Sequence, residues 1–466
     1  MWVPHLSENH QPVYLSIADS LGRDIASGRL KHGERLPTLR ELAHALDVTP
    51  GTVSRAYNEA SRRGLTQGEV GRGTYVLAEL DSDADLISVI PGAEQASVLR
   101  TGMLDLSIIK PQGQAQEQWL KSALIDLADG SDLGPAMDYV PDGGHPAHRQ
   151  AAARWLNQWI PGADWQRVVL TSGAQHGLMV AISALTGNQD LVLCESLCYP
   201  GIISVVHGTG RRLGAVPMDE YGIIPDGLRE LCKRERPAML VCVATCQNPT
   251  TAIMPNNRRA EIAAIAEEFD FLILDDDIYG FLATDSETRP LSCFAPDRSI
   301  YLTSLSKSIL PALRIGYLYS PARLLPRLTA MVRSTVWMPS PITAHIASHV
   351  LNTGLHDEII SRHREEASAR QTIAREVFHQ WELISQPFSY HAWLKLPKPW
   401  RSDEFATLAR ANGVMVMSSS QFEGEGSGGV SAVRIVLMSP TNRTELRFAL
   451  TKLVSLLEVS DPKLLY

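Results

Sequence analysis

Nowhere in these 466 residues does an apolar run approach the ~20 residues that a membrane-spanning helix needs, so a helical membrane protein is not expected. The chain also begins without a basic start or an apolar core (Met1-Trp2-Val3-Pro4-His5), so no secretory signal is expected. Cysteine is sparse. Six in this length form no disulfide framework, and a reducing cytoplasm fits. Cys194/Cys198 and Cys242/Cys246 are spaced like metal-ligand pairs, but both begin in apolar strand patterns, where cysteine packs as a small hydrophobe; no metal is expected. Positive charge is short too. The formal net charge of -8 excludes a chain that coats nucleic acid over its whole surface, but leaves room for one basic patch. The apolar fraction of 44% is that of a globular protein, and the length predicts two or more domains.

What is present is concentrated at residues 304–317. An apolar run, 299–303, leads into Ser304-Leu305-Ser306-Lys307, with Arg314 a turn further on. A lysine that ends a buried strand can form an imine with an aldehyde, and two hydroxyls with a guanidinium fork suit a phosphate dianion. An aldehyde beside a phosphate is pyridoxal 5′-phosphate. Two other strand ends answer to this one. Asn248 follows the apolar run 239–244, and Asp275-Asp276-Asp277-Ile278-Tyr279 follows 271–274. Ligands of open α/β sheets bind at the carboxyl ends of strands.

Together the strand-end Asn, Asp-x-x-Tyr and Ser-x-Ser-Lys resemble the fold-type I aminotransferases over roughly residues 104–466. Thr251 and Ala312 depart from the family pattern, which has Gly at both positions. The resemblance implies that Lys307 carries the cofactor and that Asp276 holds its ring nitrogen protonated, an Asp at a strand end being otherwise a helix cap. It implies that Tyr279 and Asn248 bond the ring oxygen. Tyr199 would stack on the ring or else serve as a core aromatic. The phosphate cup would comprise the backbone N–H groups of Ala174 and Gln175 at a helix start, with Ser304, Ser306 and Arg314. Tyr139 matches the tyrosine that reaches the neighbouring subunit's phosphate, which implies a homodimer. Arg434, alone in an apolar strand, matches the arginine that clamps a substrate or effector carboxylate.

Residues 13–77 form a separate pattern. A helix from Val13 to Ser27 carries Ile17, Leu21 and Ile25 on one face. Thr38-Leu39-Arg40-Glu41 is a capping box opening a second helix, and Thr49-Pro50 opens a third. The third turns Val53, Ala56, Tyr57 and Ala60 inward and leaves Thr52, Ser54 and Arg55 outside. Two short strands around Gly71-Arg72-Gly73 follow. Between residues 28 and 75 stand eight basic residues and five acidic ones, the basic ones gathered on the third helix and the hairpin. The segment resembles the GntR-type winged helix-turn-helix, which implies operator DNA as partner, read by Arg40, Thr52, Ser54, Arg55 and the Gly71-Arg72-Gly73 wing.

The expected organisation is therefore multidomain. A winged helix spans 1–78 and an acidic linker 79–103. An α/β fold-type I aminotransferase domain spans 104–466, its smaller C-terminal α+β part beginning near 321. Strand and helix signals alternate as a parallel sheet demands. Long helices are predicted over 321–336 and 345–381, and a mobile loop over 418–429. A GntR-type reader fused to such a domain resembles the MocR-type transcription regulators. Two functions stay open: a regulator that senses an amino compound or pyridoxal 5′-phosphate, and a working aminotransferase with secondary DNA binding.

Overall fold

The computed structural model of the chain describes residues 2–4, 13–26, 29–30, 33–62, 65–69, 73–76, 103–111, 116–129, 137–283, 288–424 and 429–458. The chain divides into two compact units, Met1–Gly102 and Met103–Tyr466. The residues expected to form the acidic linker, up to 102, lie outside those described, as do the Gly71 and Arg72 of the wing.

In the first unit, helices Val13–Ala26, Leu39–Ala45 and Pro50–Arg62 close over Ile17, Leu21, Ile25, Leu42, Val53, Ala56 and Ala60, all buried. The second helix starts on the expected capping box. Thr38 N–H donates to Glu41 Oε2 (2.8 Å) and Glu41 N–H to Thr38 Oγ1 (3.3 Å), so two first-turn donors find acceptors. Tyr57 belongs to the core yet keeps its hydroxyl satisfied on Pro37 O at 2.9 Å. Strands Thr66–Glu69 and Gly73–Val76 pair antiparallel, Glu69 opposite Gly73.

The second unit is built on a seven-stranded sheet. Its order is Val168–Thr171, Gly316–Tyr319, Ser299–Ser304, Leu272–Asp276, Pro237–Cys242, Leu191–Glu195, Arg212–Val216. All neighbours run parallel except Gly316–Tyr319, which is antiparallel to both strands beside it. The parallel pattern read from the sequence misses this strand, because it follows Arg314 after only a short turn. A chain that reverses so tightly can return only as an antiparallel neighbour. Alternate residues serve opposite faces. Val169, Leu302, Leu274 and Val241 pack under helices Ala174–Leu185, Pro200–Gly208 and Leu325–Val336. Leu170, Tyr301, Tyr317 and Ile315 pack under Pro146–Leu156 and Pro341–Asn352. Each fully buried aliphatic side chain contributes about 1.5–3 kcal/mol.

The helix predicted over 345–381 is two helices, Pro341–Asn352 and Leu355–Val377. Gly354, at φ 75, turns the chain in the left-handed region and ends the run. The smaller part also begins later than residue 321. Leu324, Leu328 and Val332 belong to the core of the large sheet, as do Ala344, Ile346 and Val350. Its own core gathers Phe378, Leu394, Phe405, Val433, Ile435 and Leu450 around the antiparallel strands Leu383–Ile384, His391–Lys395, Ala432–Val436 and Met417–Ser418. Leu104–Asp105 joins this region from the front of the unit, parallel to Val414–Met415. Within the expected loop 418–429, Ser419–Phe422 is a 3-10 turn and residues 425–428 lie outside those described.

A side chain added at Gly354 would meet nothing within 4 Å, so its cost is conformational alone. Gly354→Ala is expected to lower stability by about 1–2 kcal/mol in urea titration. Gly354→Asn should lose less than that, because Asn tolerates the left-handed region.

Candidate functional site

The strand ends bring most of the expected residues to one place. Lys307 sits on a single turn, Leu305–Ser308, begun by Ser304, whose Oγ accepts from Ser306 N–H at 3.4 Å. Its Nζ donates to Ile109 O at 2.5 Å. Burial, then the Arg434 and Arg314 guanidinium groups, pull its pKa down to about 8. Asp276 ends the Leu272–Asp276 strand, buried, with Oδ1 lacking any partner. Burial, then Asp277, Glu195 and Asp275, push its pKa up to about 8. Tyr199 and Tyr279 stand in the same electrostatic neighbourhood. Burial raises both, and both sense Asp276 and Arg434.

Arg434 crosses from the small sheet. Its Nη1 donates to Asn248 Oδ1 at 2.7 Å and its Nη2 to Ser107 O, while the guanidinium lies 4.9 Å over the Phe422 ring. Among the described residues no carboxylate is within ion-pair distance of this buried cation, and its Nε has no partner. Burial pulls its pKa down to about 10. A buried guanidinium held by neutral acceptors still has charge to offer an anion.

The side expected to take a phosphate is built from close backbone approaches. Helix Ala174–Leu185 opens at Gly173, φ 85, with no side-chain cap. A Cβ at Gly173 would lie 2.6 Å from Arg314 Nη2, and one at Gly316 would lie 2.7 Å from the Gly173 backbone. Only glycine lets Arg314 come against this helix start, where its Nη2 donates to Ser172 O at 3.2 Å. Ser306 Oγ and Gln175 Oε1 are buried without partners.

The two departures from the family pattern differ in consequence. Ala312 sits unstrained in a 3-10 turn, and Arg314 beyond it takes the positive φ of 49. Thr251 stands at φ 66, fully buried, its Oγ1 unpartnered. A β-branched residue there is strained where glycine would not be.

Tyr139 is not gathered with the others. It is 75% exposed and lies 5.8 Å from the Trp337 ring, which is itself 58% exposed. Of the expected reader residues, Arg40 and Arg55 are exposed, Thr52 and Ser54 half-buried, and Gly73 opens the second wing strand. Cys194 and Cys198 lie with their sulfurs 3.4 Å apart, and no group of three metal-ligating side chains occurs among the described residues.

Three contributors escape sequence reasoning. The carbonyls of Ser107 and Ile109 carry no side-chain signature. His391 does: a lone histidine in an apolar strand. It lies buried 5.9 Å from the Tyr279 ring, with Nε2 3.2 Å from Gln247 O, the residue before Asn248.

A seven-stranded, mostly parallel sheet with a lysine and an aspartate at its strand ends, faced by an arginine from the smaller sheet, is an aminotransferase-type fold. The chain belongs to the aminotransferase class I and II family, whose model matches residues 101–452; the gntR family of bacterial regulatory proteins matches residues 13–76. This fusion is the architecture of the MocR-type regulators. The chain is 25% identical over 457 residues to the uncharacterized HTH-type transcriptional regulator YdeF of Bacillus subtilis, covering 98% of this chain and 97% of that one. It is 25% identical over 447 residues to the HTH-type pyridoxine biosynthesis transcriptional regulator PdxR of Corynebacterium glutamicum, covering 89% and 90%. An archaeal alanine:glyoxylate aminotransferase shares the fold at a TM-score of 0.73, with 21% identity over 79% of this chain and 94% of that one.

With a pKa near 8, Lys307 is neutral far below the range of an ordinary lysine. Capture of Lys307 by pyridoxal 5′-phosphate and borohydride should therefore climb as pH rises through about 8 and level off above it. Arg434→Ala removes one of the two cations that depress it, so the midpoint should move up.

Proposed function

We propose that this chain is a DNA-binding transcription regulator that holds pyridoxal 5′-phosphate and responds to an amino compound, or to the cofactor itself. The observation that carries the reading is Arg434: a buried guanidinium without a carboxylate partner among the described residues, beside a lysine depressed to about 8, in a chain that also bears a GntR-family reader. The name of PdxR, a pyridoxine biosynthesis regulator, supports a signal of this kind.

The residues fit the cofactor. Asp276 Oδ1 and Ser306 Oγ are buried polar atoms without partners, and each costs free energy until one is supplied. Asp276 would accept from the ring nitrogen. Asn248 and Tyr279 would face the ring oxygen, and Tyr199 the ring. Ser304, Ser306, Arg314 and the N–H groups of Ala174 and Gln175 would hold the phosphate, with Lys307 as the covalent anchor. When bound, the cofactor supplies an electrophilic aldehyde carbon and an electron-withdrawing ring. Arg434 would orient an α-carboxylate by a bidentate pair, at the expense of its bond to Asn248.

Exposed Tyr139, Met137 and Trp337 support a homodimer in which Tyr139 serves the neighbouring subunit. Among the described residues no helix is long and apolar enough to cross a membrane. The gntR-family reader, whose partner would be DNA, supports a cytoplasmic location. Turnover as an aminotransferase is a second reading, favoured by the presence of Lys307, Asp276 and Arg434 together. Formation of pyruvate or glutamate from an amino-acid panel decides it.

For the reader, DNA affinity should fall steeply as salt rises. Arg55→Ala should weaken a specific site roughly 5- to 150-fold while leaving random DNA less affected. An unchanged ratio removes Arg55 from base readout. For the sensor, Arg434→Ala should keep the cofactor and still bind DNA, but its DNA affinity, whatever its basal value, should no longer change on adding α-amino acids. If wild type and variant respond equally, the signal is the cofactor or a ligand without a carboxylate.

A further inference from the structure

The first described segment of the second unit, residues 103–111, runs along the small sheet into the site. Leu104 N–H donates to Gly413 O (2.9 Å) and Leu106 N–H to Met415 O (2.8 Å). Four successive carbonyls are then taken. Leu106 O accepts from Val436 N–H at 2.8 Å, Ser107 O from Arg434 Nη2, Ile108 O from Ser439 Oγ, and Ile109 O from Lys307 Nζ at 2.5 Å. Asp105 accepts from both Ser107 N–H (2.7 Å) and Ser107 Oγ (2.6 Å), and its charge also acts on Arg434.

Two of these four ties come from the cations that an amino acid and the cofactor would engage. Hydrogen bonds from charged donors are the stronger kind, so these two are the principal side-chain fastenings. A carboxylate brought to Arg434 competes with Ser107 O for the same N–H groups and is repelled by Asp105. A Lys307 nitrogen committed to another partner no longer donates to Ile109 O. Ser439 and the backbone pairs remain. Going backward along the chain, the strap continues into residues 77–102 and then to the reader.

We infer that residues 103–111 are a strap that reports occupancy of the site to the DNA-binding unit, fastened by Lys307 and Arg434 when those groups have no ligand and loosened when they do. This rests on the reading that the site takes an amino compound or the cofactor. It adds the element that carries the signal out, and needs no docking surface between the units.

The test is hydrogen exchange on the full chain at the amides of Leu104, Leu106, Ser107 and Val436, with DNA affinity measured in parallel on a duplex selected by the wild type from a random pool. Lys307→Ala and Arg434→Ala should each speed exchange at these amides roughly 10- to 150-fold, the effect of losing one charged hydrogen bond. Helix Pro146–Leu156 should exchange as in wild type, which separates a loosened strap from a damaged fold. Both variants should shift DNA affinity in the same direction. Ser439→Ala cuts a strap tie outside the ligand groups. It should loosen the same amides while leaving cofactor uptake, followed by absorbance, unchanged, and it serves where the other variants fold poorly. Unchanged exchange at the strap in these variants overturns the inference. Faster exchange with wild-type DNA affinity also overturns it, since the strap then reports to nothing. A protein that takes up no pyridoxal 5′-phosphate but shows the strap behaviour counts against the function proposed above, not against the strap.

Discussion

Charge buried at the carboxyl ends of strands is the constraint on which the second unit depends. Asp275, Asp276, Asp277 and Glu195 are buried there, Lys307 is half-buried beside them, and buried Arg434 reaches in from the small sheet; few have an opposite charge in contact. Burial pushes the acids up and the bases down, so each drifts toward its neutral form. That drift is useless for stability, since buried groups lacking partners cost free energy. It suits a site that must accept an anion, a phosphate and a ring nitrogen, because the missing partners are those the ligands bring. Arg259 shows the contrast. It is equally buried, but it donates to Met254 O, Ala244 O and Arg289 O and to Thr245 Oγ1, and so functions as a structural brace.

The sheet makes this burial possible. Strands covered on both faces hold their ends rigidly, so a residue one step past the last ladder pair is placed by the ladder rather than by a loop. Ser304 pairs with Gly316, and the eleven residues between them, folded into the turns Leu305–Ser308 and Pro311–Leu313, put Lys307 and Arg314 on one excursion. Antiparallel insertion of Gly316–Tyr319 therefore brings the guanidinium back beside Gly173 and the start of helix Ala174–Leu185. The glycines at 173 and 316 are the sequence's allowance for that approach.

Much of this was legible in the residues, and the limits have physical causes. Strand-end side chains announce themselves, because a charge after an apolar run is expensive without a purpose; Lys307 and Asp276 are found that way, and Arg434 by standing alone inside the apolar strand Ala432–Val436. The capping box at Thr38 and Glu41 is legible because both partners lie within one turn. The break at Gly354 was not, since an exposed glycine inside a helical pattern is tolerated as often as it ends one. The late start of the small part was not either. Helices Leu325–Val336 and Pro341–Asn352 have the same pattern whichever sheet they cover, and only packing assigns them. Carbonyls were invisible throughout, because every residue has one. The acceptors at Ser107 and Ile109 could not be told from any others until the chain was folded.

That last blindness bears on how a reader and a catalytic fold come to communicate. Side chains that bind a ligand are selected by chemistry and leave marks in the sequence. The backbone groups that register the ligand's arrival need only be near the same cations. Without a ligand the donors of Arg434 and Lys307 need acceptors in any case, so a backbone carbonyl that fills one and yields it to the ligand costs the site little. Placing that acceptor on residues 103–111, the described segment that follows the DNA-binding unit in the sequence, lets a binding event loosen or fasten that segment. An aminotransferase fold already has the two cations at fixed positions. What fusion to a reader requires beyond them is only that the entering segment pass close enough to be held.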